Sequence, residues 1–160
     1  MRLSVVAVGR LKDGAERALL DRYVGLASGL GRSHGLGPFD VVEVPEGKAA
    51  GLDARRTDEA QRLIRAAGEA DQIILLDETG RSVTSAAFAA DLRHARDSGV
   101  KRLAFLIGGA DGHGSAARDA ARRAMSLGAI TLPHGLARIV LAEQVYRAIS
   151  IIAGHPYHRA

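Results

Sequence analysis

The residues best equipped for chemistry crowd the end of the chain. Glu143-Gln144-Val145-Tyr146-Arg147-Ala148 is followed by Gly154-His155-Pro156-Tyr157-His158-Arg159. Carboxylate, phenol, imidazole and guanidinium can between them accept a proton, donate hydrogen bonds and pair with a phosphate. Glu143 and Arg147 are four residues apart, the spacing at which a helix lets a carboxylate reach a guanidinium. Pro156 stops a helix, so the Tyr157-His158-Arg159 tail should leave it at a defined angle. Such a trio can grip or polarise a nucleic-acid base and its phosphate. His134, directly after Pro133, is a second candidate for carrying a proton near neutral pH.

Three other segments are built to approach a ligand with backbone. Ile107-Gly108-Gly109-Ala110-Asp111-Gly112-His113-Gly114 follows an apolar run and precedes an alanine-rich helical pattern. Leu75-Leu76-Asp77-Glu78-Thr79-Gly80-Arg81 leaves another apolar run in the same way, and Met125 to His134 mixes apolar and small residues before Pro133. Open α/β sheets bind ligands beyond the carboxyl ends of their strands, where glycine allows close approach. Together these loops can wall a pocket for an adenine-containing ligand, apolar side chains covering the ring and backbone groups reading its edges. Gly112-x-Gly114-x-x-Ala117 matches the dinucleotide fingerprint in form. It sits late in the chain, with no acidic residue about 20 positions on.

The elements that must hold these residues follow from the hydrophobic pattern. Five apolar runs (Val5–Val8, Val41–Val44, Ile73–Leu76, Leu103–Ile107 and a less regular Leu127–Leu132) alternate with helical periodicity. Leu19, Tyr23, Leu26 and Leu30 recur at helical spacing, as do Ala60, Leu63, Ile64 and Ala67, and Phe88, Leu92 and Ala95. Continuous apolar strands between amphipathic helices predict an α/β fold, a mostly parallel sheet with helices on both faces. Asp53 and Thr84-Ser85 are expected to cap helices, and the glycine-rich Gly29–Gly37 to form a flexible surface connection. The last helix, Gly135 to Ala153, is apolar nearly all round, and a second subunit is expected to cover part of it. With no internal repeat or linker, residues 1–160 read as a single domain.

Composition narrows the function classes. Lys and Arg number 22 against 18 Asp and Glu, a net charge of +4, and only Lys12, Lys48 and Lys101 are lysines. Arginine suits phosphate and base contacts, so a polyanionic partner is permitted. The absence of cysteine excludes thiol chemistry and fits a reducing cytoplasm. No apolar stretch approaches the roughly 20 residues of a membrane span, and the N-terminal run reads as a strand and not a signal peptide. The six histidines have no zinc-helix spacing, and no metal site is expected.

Read together, Val6-Ala7-Val8-Gly9, Leu76-Asp77-Glu78-x-Gly80, Leu106-Ile107-Gly108-Gly109-x-Asp111-Gly112, Thr131-x-Pro133-His134, Glu143-Gln144-x-Tyr146-Arg147-Ala148 and Pro156-Tyr157-His158-Arg159 carry a resemblance. Their order and spacing resemble the ribosomal RNA large subunit methyltransferase H family, a branch of the SPOUT methyltransferases. The resemblance runs nearly the whole length. It implies a homodimer with a C-terminal trefoil knot around bound S-adenosylmethionine. It also implies methylation of N3 of a pseudouridine in 23S rRNA of assembled ribosomes. By residue match it assigns Leu76, Gly108, Gly109 and Leu127, Gly128, Ala129, Ile130, Thr131 and Leu132 to the cofactor. Glu143, Arg147, Tyr157, His158 and Arg159 fall to substrate and catalysis. His158 or His134 can take the N3 proton, and Arg159 or Arg147 can stabilise the anion. The chain departs from the pattern at Gly128, where relatives often carry serine, and at Ala110, where proline is usual. Two rival readings are a ribosome- or RNA-binding module without catalysis, and a dinucleotide-dependent oxidoreductase.

Overall fold

In the computed structural model, which describes residues 1–158, strands and helices alternate along the chain. The order is β1 (Arg2–Val8), α1 (Ala15–Gly31), β2 (Phe39–Val44), α2 (Leu52–Ala67), β3 (Gln72–Ser82), α3 (Ser85–Asp97), β4 (Arg102–Ile107), α4 (Ser115–Ala120), β5 (Arg123–Ser126) and α5 (His134–Ala153). The strands form one sheet in the order β2-β1-β4-β3-β5, and every pairing is parallel. Arg159 lies outside the described residues.

Alternation along β1 explains why its sequence is apolar throughout. Leu3, Val5 and Ala7 enter one core with Phe88, Phe105, Leu141 and Val145. Val6 and Val8 enter the opposite core with Ala60, Leu63, Leu75, Leu106 and Ala117. α1, α3 and α5 thus cover one face and α2 and α4 the other, which leaves the central strands no solvated side. Phe88 and Phe105 meet edge to face with ring centroids 5.8 Å apart.

Several sequence expectations shift. The last strand is Arg123–Ser126, and Leu127–Leu132 is a loop. Four residues suffice to pair with β3, and Gly128 at φ 135° then breaks the extended run. On α1 the buried positions are Leu20, Ala27 and Gly31, while Leu19 and Leu26 face outward. Both sets have helical spacing, so periodicity alone could not choose between them. Gly29–Gly37 is no flexible connection: the helix runs through Gly31, a 3₁₀ turn follows, and Leu36 is fully buried. A Cβ at Gly31 would stand 1.7 Å from the Leu36 carbonyl oxygen, so glycine here serves close packing. Asp53 lies inside the first turn of α2 after an N-cap at Gly51, whereas Thr84 does cap α3 by accepting from the Ala87 N–H. Finally, Ile139 and Val145 of α5 are buried within their own chain, so neither belongs to a face left for a partner.

Candidate active site

An open cleft of about 920 Å³ lies beyond the carboxyl end of β4 and beside Leu76–Thr79, where β3, instead of ending in a loop after Leu76, breaks register and runs on to Ser82. Its volume falls within the range of small-molecule sites. Leu76, Gly108, Gly109, Leu127, Gly128, Ile130, Thr131 and Leu132 all line it; of the nine cofactor candidates only Ala129 does not. His134 and Ala137, at the start of α5, close one end. Ile130 stands 82% exposed at the rim, apolar surface that a ring could cover. Ser126 holds the third loop, its hydroxyl donating to the Gly128 carbonyl and accepting from the Gly128 N–H.

The glycine loop is packed from below. A Cβ on Gly109 would come within 2.7 Å of the Glu59 carboxylate, and one on Gly108 within 3.1 Å of the Gly112 backbone. A side chain at either position would press on the protein's own packing, a reason for glycine that the sequence could not show. Glu59 is buried on α2 and accepts from the Gly47 N–H. The dinucleotide fingerprint loses its structural context as well, because the helix after it, α4, has only six residues.

The polar side chains that sequence reasoning missed in this cleft include Arg56, Asp77, His113 and Arg118. Asp77 and His113 lay inside the quoted motifs, but nothing in their spacing marked them. Asp77 sits where β3 breaks register between Leu76 and Arg81. Its nearly buried carboxylate pairs with Arg118 at 2.8 Å and accepts from the Thr79 hydroxyl and N–H. Burial pushes its pKa up, but Thr79 and Arg118 outweigh that and hold it below the ordinary carboxylate value. His113 is buried, and its Nε2–H donates to the Leu76 carbonyl at 2.8 Å. Arg56 donates to the Asp111 carbonyl, and Arg55 pairs with the Asp111 side chain at 2.8 Å.

The tail residues gather elsewhere on α5. Glu143 Oε1 accepts from Arg147 Nη2 at 2.6 Å and from the Tyr157 hydroxyl at 3.0 Å. Glu143 Oε2 accepts from Gln144. The Arg147 guanidinium lies 5.0 Å from the centre of the Tyr157 ring, and that ring packs on Tyr146 with centroids 4.5 Å apart. The tail is thus folded onto the helix, and it contributes more to packing than a free end would. Burial, then hydrogen bonding with Tyr23 and Glu143, pushes the Tyr157 phenol pKa up, so it stays protonated. His158 is half-buried, with Nδ1 unpartnered. Glu143 is nine residues beyond His134, roughly 13 Å along the helix axis. One chain therefore brings His134 to the cleft and leaves Glu143, Arg147 and Tyr157 in a separate cluster.

A buried arginine fixes where α5 begins. Arg138 is 1% exposed and donates to the carbonyls of Val8, Gly9 and His134 and to Glu43. Glu43 also accepts from the Leu11 N–H and pairs with Arg17 at 2.7 Å. Burial raises the Glu43 pKa, but Leu11, Arg17 and Arg138 outweigh it and hold the carboxyl below its usual value. The ends of β1 and β2 are thereby tied to the helix that carries His134.

A family model described as "Predicted SPOUT methyltransferase" matches residues 1–158. The protein named ribosomal RNA large subunit methyltransferase H in Xanthobacter autotrophicus is 48% identical over 160 residues, covering all of both chains. The chain belongs to this family of SPOUT methyltransferases. Relatives of the same name from Nitrobacter hamburgensis and Brucella anthropi are each 46% identical, over 99% and 100% of both chains. Among the described residues no group of three or more His, Cys, Asp or Glu is gathered for a metal, and no helix is long and apolar enough to cross a membrane.

Proposed function

We propose that the protein is an S-adenosylmethionine-dependent methyltransferase of the cytoplasm that modifies N3 of a pseudouridine in 23S rRNA of assembled ribosomes. The observation that carries this reading is the cleft at the strand ends, in a chain whose full-length relatives are named as ribosomal RNA methyltransferases. The cleft fits the cofactor: glycine backbone at Gly108-Gly109, apolar Leu76, Leu127, Ile130 and Leu132, and a suitable volume. When bound, S-adenosylmethionine supplies an activated methyl group.

The chain's own residues then position and polarise. Leu76 and the 127–132 loop would hold the cofactor's purine, and the backbone at Gly108-Gly109 would leave room for its close approach. His134, at the end of the cleft, accepts the N3 proton, and Arg147 or Arg159 offsets the charge left on the base. The Tyr157 phenol, kept protonated, donates to Glu143 and so holds that carboxylate beside Arg147, leaving its ring to pack on the base.

His134 and the tail cluster belong to one reaction only if two chains meet, so we propose a homodimer. α1 and α5 run side by side: a Cβ on Gly135 would meet Glu16, and one on Gly31 would meet Ile149. Their outward faces carry Leu19, Leu26 and Leu136, each about two-fifths exposed. A second copy on this face would bring its tail cluster towards the first copy's cleft. One domain over residues 1–160, with the trefoil knot, completes the proposal.

Purified protein should transfer a labelled methyl group to ribosomes lacking the modification, and hydrolysis of that RNA should yield N3-methylpseudouridine. Cofactor binding without any transfer to ribosomes would remove the substrate from this reading. Leu26→Asp should shift sedimentation from dimer to monomer; an unchanged dimer would exclude this face.

A further inference from the structure

We propose that His113, in its neutral form, is the positioning residue that clasps the two walls of the cofactor cleft, and that cofactor affinity falls when it is protonated. This deepens the proposed methyltransferase reading and rests on its placement of the cofactor.

His113 stands on the loop that closes over Gly108-Gly109, just after Gly112, whose N–H donates to the Gly109 carbonyl. Its side chain crosses to the other wall and reaches the Leu76 carbonyl at 2.8 Å. A carbonyl only accepts, so the hydrogen sits on Nε2, and in the neutral ring Nδ1 carries a lone pair. Nδ1 is buried and has no partner. It lies 3.3 Å from where a Cβ on Gly108 would be, in a slot shared with the Gly112 backbone. The residue is 6% exposed, so this bond is shielded from water and joins loops 37 positions apart in sequence.

Protonation would put a second N–H into that slot, where the Gly112 carbonyl lies nearby but makes no hydrogen bond with Nδ1. A buried donor without a partner is costly, and a buried unpaired charge more so. The charged groups around the ring do not reverse this. Asp77 on β3 favours the proton, but it is already paired with Arg118 on α4, which opposes it. From α2, Glu59 faces Gly109, and Arg56 is engaged with the Asp111 carbonyl. Burial dominates and holds the imidazole pKa below its ordinary value. A lowered folded pKa means that the stabilisation is fully present above the unfolded value of about 6.5 and is lost as pH falls through the folded one. A cofactor that packs the cleft further shields the slot, so its affinity follows the same direction.

The test is calorimetric titration with S-adenosylmethionine at pH 7.5 and pH 5.5 on the wild type, His113→Gln and His113→Leu. Amide hydrogen exchange of residues 76–80 and 108–114 in ligand-free protein is measured alongside. The wild type should lose about two- to fourfold in affinity between the two pH values, since a folded pKa below the ordinary value of about 6.5 leaves only part of the ring protonated at pH 5.5. Glutamine keeps an N–H for Leu76 and does not titrate, so His113→Gln should bind within about threefold of wild type at pH 7.5 and lose the drop. His113→Leu leaves the carbonyl unpaired, and should bind about 5- to 10-fold more weakly at both pH values, with faster exchange in both loops. Wild-type exchange and affinity in His113→Leu would overturn the clasp, and an undiminished drop in His113→Gln would overturn the protonation step. A wild type that binds no cofactor at either pH defeats the proposed function and the affinity half of this inference, while the exchange rates still decide the clasp.

Discussion

The cleft takes its shape from loop backbone held by the strand ends, with Gly108, Gly109 and Gly128 on its walls. The tail cluster takes its shape from side chains of a single helix and the turn after it, every one of them bonded to Glu143 or stacked on Tyr157. A backbone site tolerates most side-chain changes nearby and fails where a new Cβ intrudes. A side-chain site fails at each of its members. The difference matches what each is proposed to hold. A cofactor the size of a nucleoside needs close approach and an apolar cover. An RNA base and its phosphate need charge and directional donors that can reach into another molecule.

Removing residues 156–160 should separate the two regions most sharply. Methyl transfer to ribosomes should fall by more than about 100-fold, since target positioning is lost, while calorimetric cofactor affinity stays within a few-fold. Because Tyr157 packs on Tyr146, the thermal midpoint should drop as well. Normal transfer by the shortened protein would leave the cluster with a packing role only.

Arg147→Ala should lower kcat/KM on ribosomes roughly 5- to 150-fold, the effect of losing one arginine contact of about 1–3 kcal/mol. Steady-state kinetics and cofactor titration on the same preparation make the comparison, and an equal loss of cofactor affinity would show that the regions are coupled within one chain.

Gly109→Ala should weaken cofactor binding about tenfold, by about 1.4 kcal/mol, with methyl transfer restored by saturating cofactor. The expected cause is displacement of the loop by Glu59, whose carboxylate lies 2.7 Å from the new Cβ position. The double variant with Glu59→Ala should regain most of the affinity; additive losses instead would point to direct contact between Gly109 and the ligand.

The smallest effect concerns Asp77. Its folded pKa is depressed, so its stabilisation is present above the unfolded carboxylate value near about 3.9 and lost as pH falls through the lower folded value. The stability gap between wild type and Asp77→Asn, measured by urea unfolding, should be constant from pH 7 to 5 and shrink towards pH 3. A gap that persists at pH 3 would show that the residue acts through packing.

Alternation of apolar runs with helical periodicity was enough for the parallel α/β architecture, because a strand buried on both faces has no other composition open to it. The motifs around Leu76, Gly108-Gly109 and the 127–132 loop were enough to bring all the cofactor candidates but Ala129 to one cleft, since Leu76 pairs with Ile107 at the end of β4 and the 127–132 loop follows β5 on the same side of the parallel sheet. Local pattern could not choose the buried stripe of α1, where Leu20 and Leu19 fit the same spacing and packing against α5 decides. Nor could it find Arg138, His113 or Glu59, whose partners lie 129, 37 and 12 positions away in sequence. The separation of His134 from Glu143, by contrast, needed only the rise of the last helix, which the sequence already predicted over Gly135 to Ala153. Residue type and spacing determine which groups a chain has to offer. Which of them meet is set by long-range contacts, whose energy depends on distances that exist only once the sheet and its covering helices have packed.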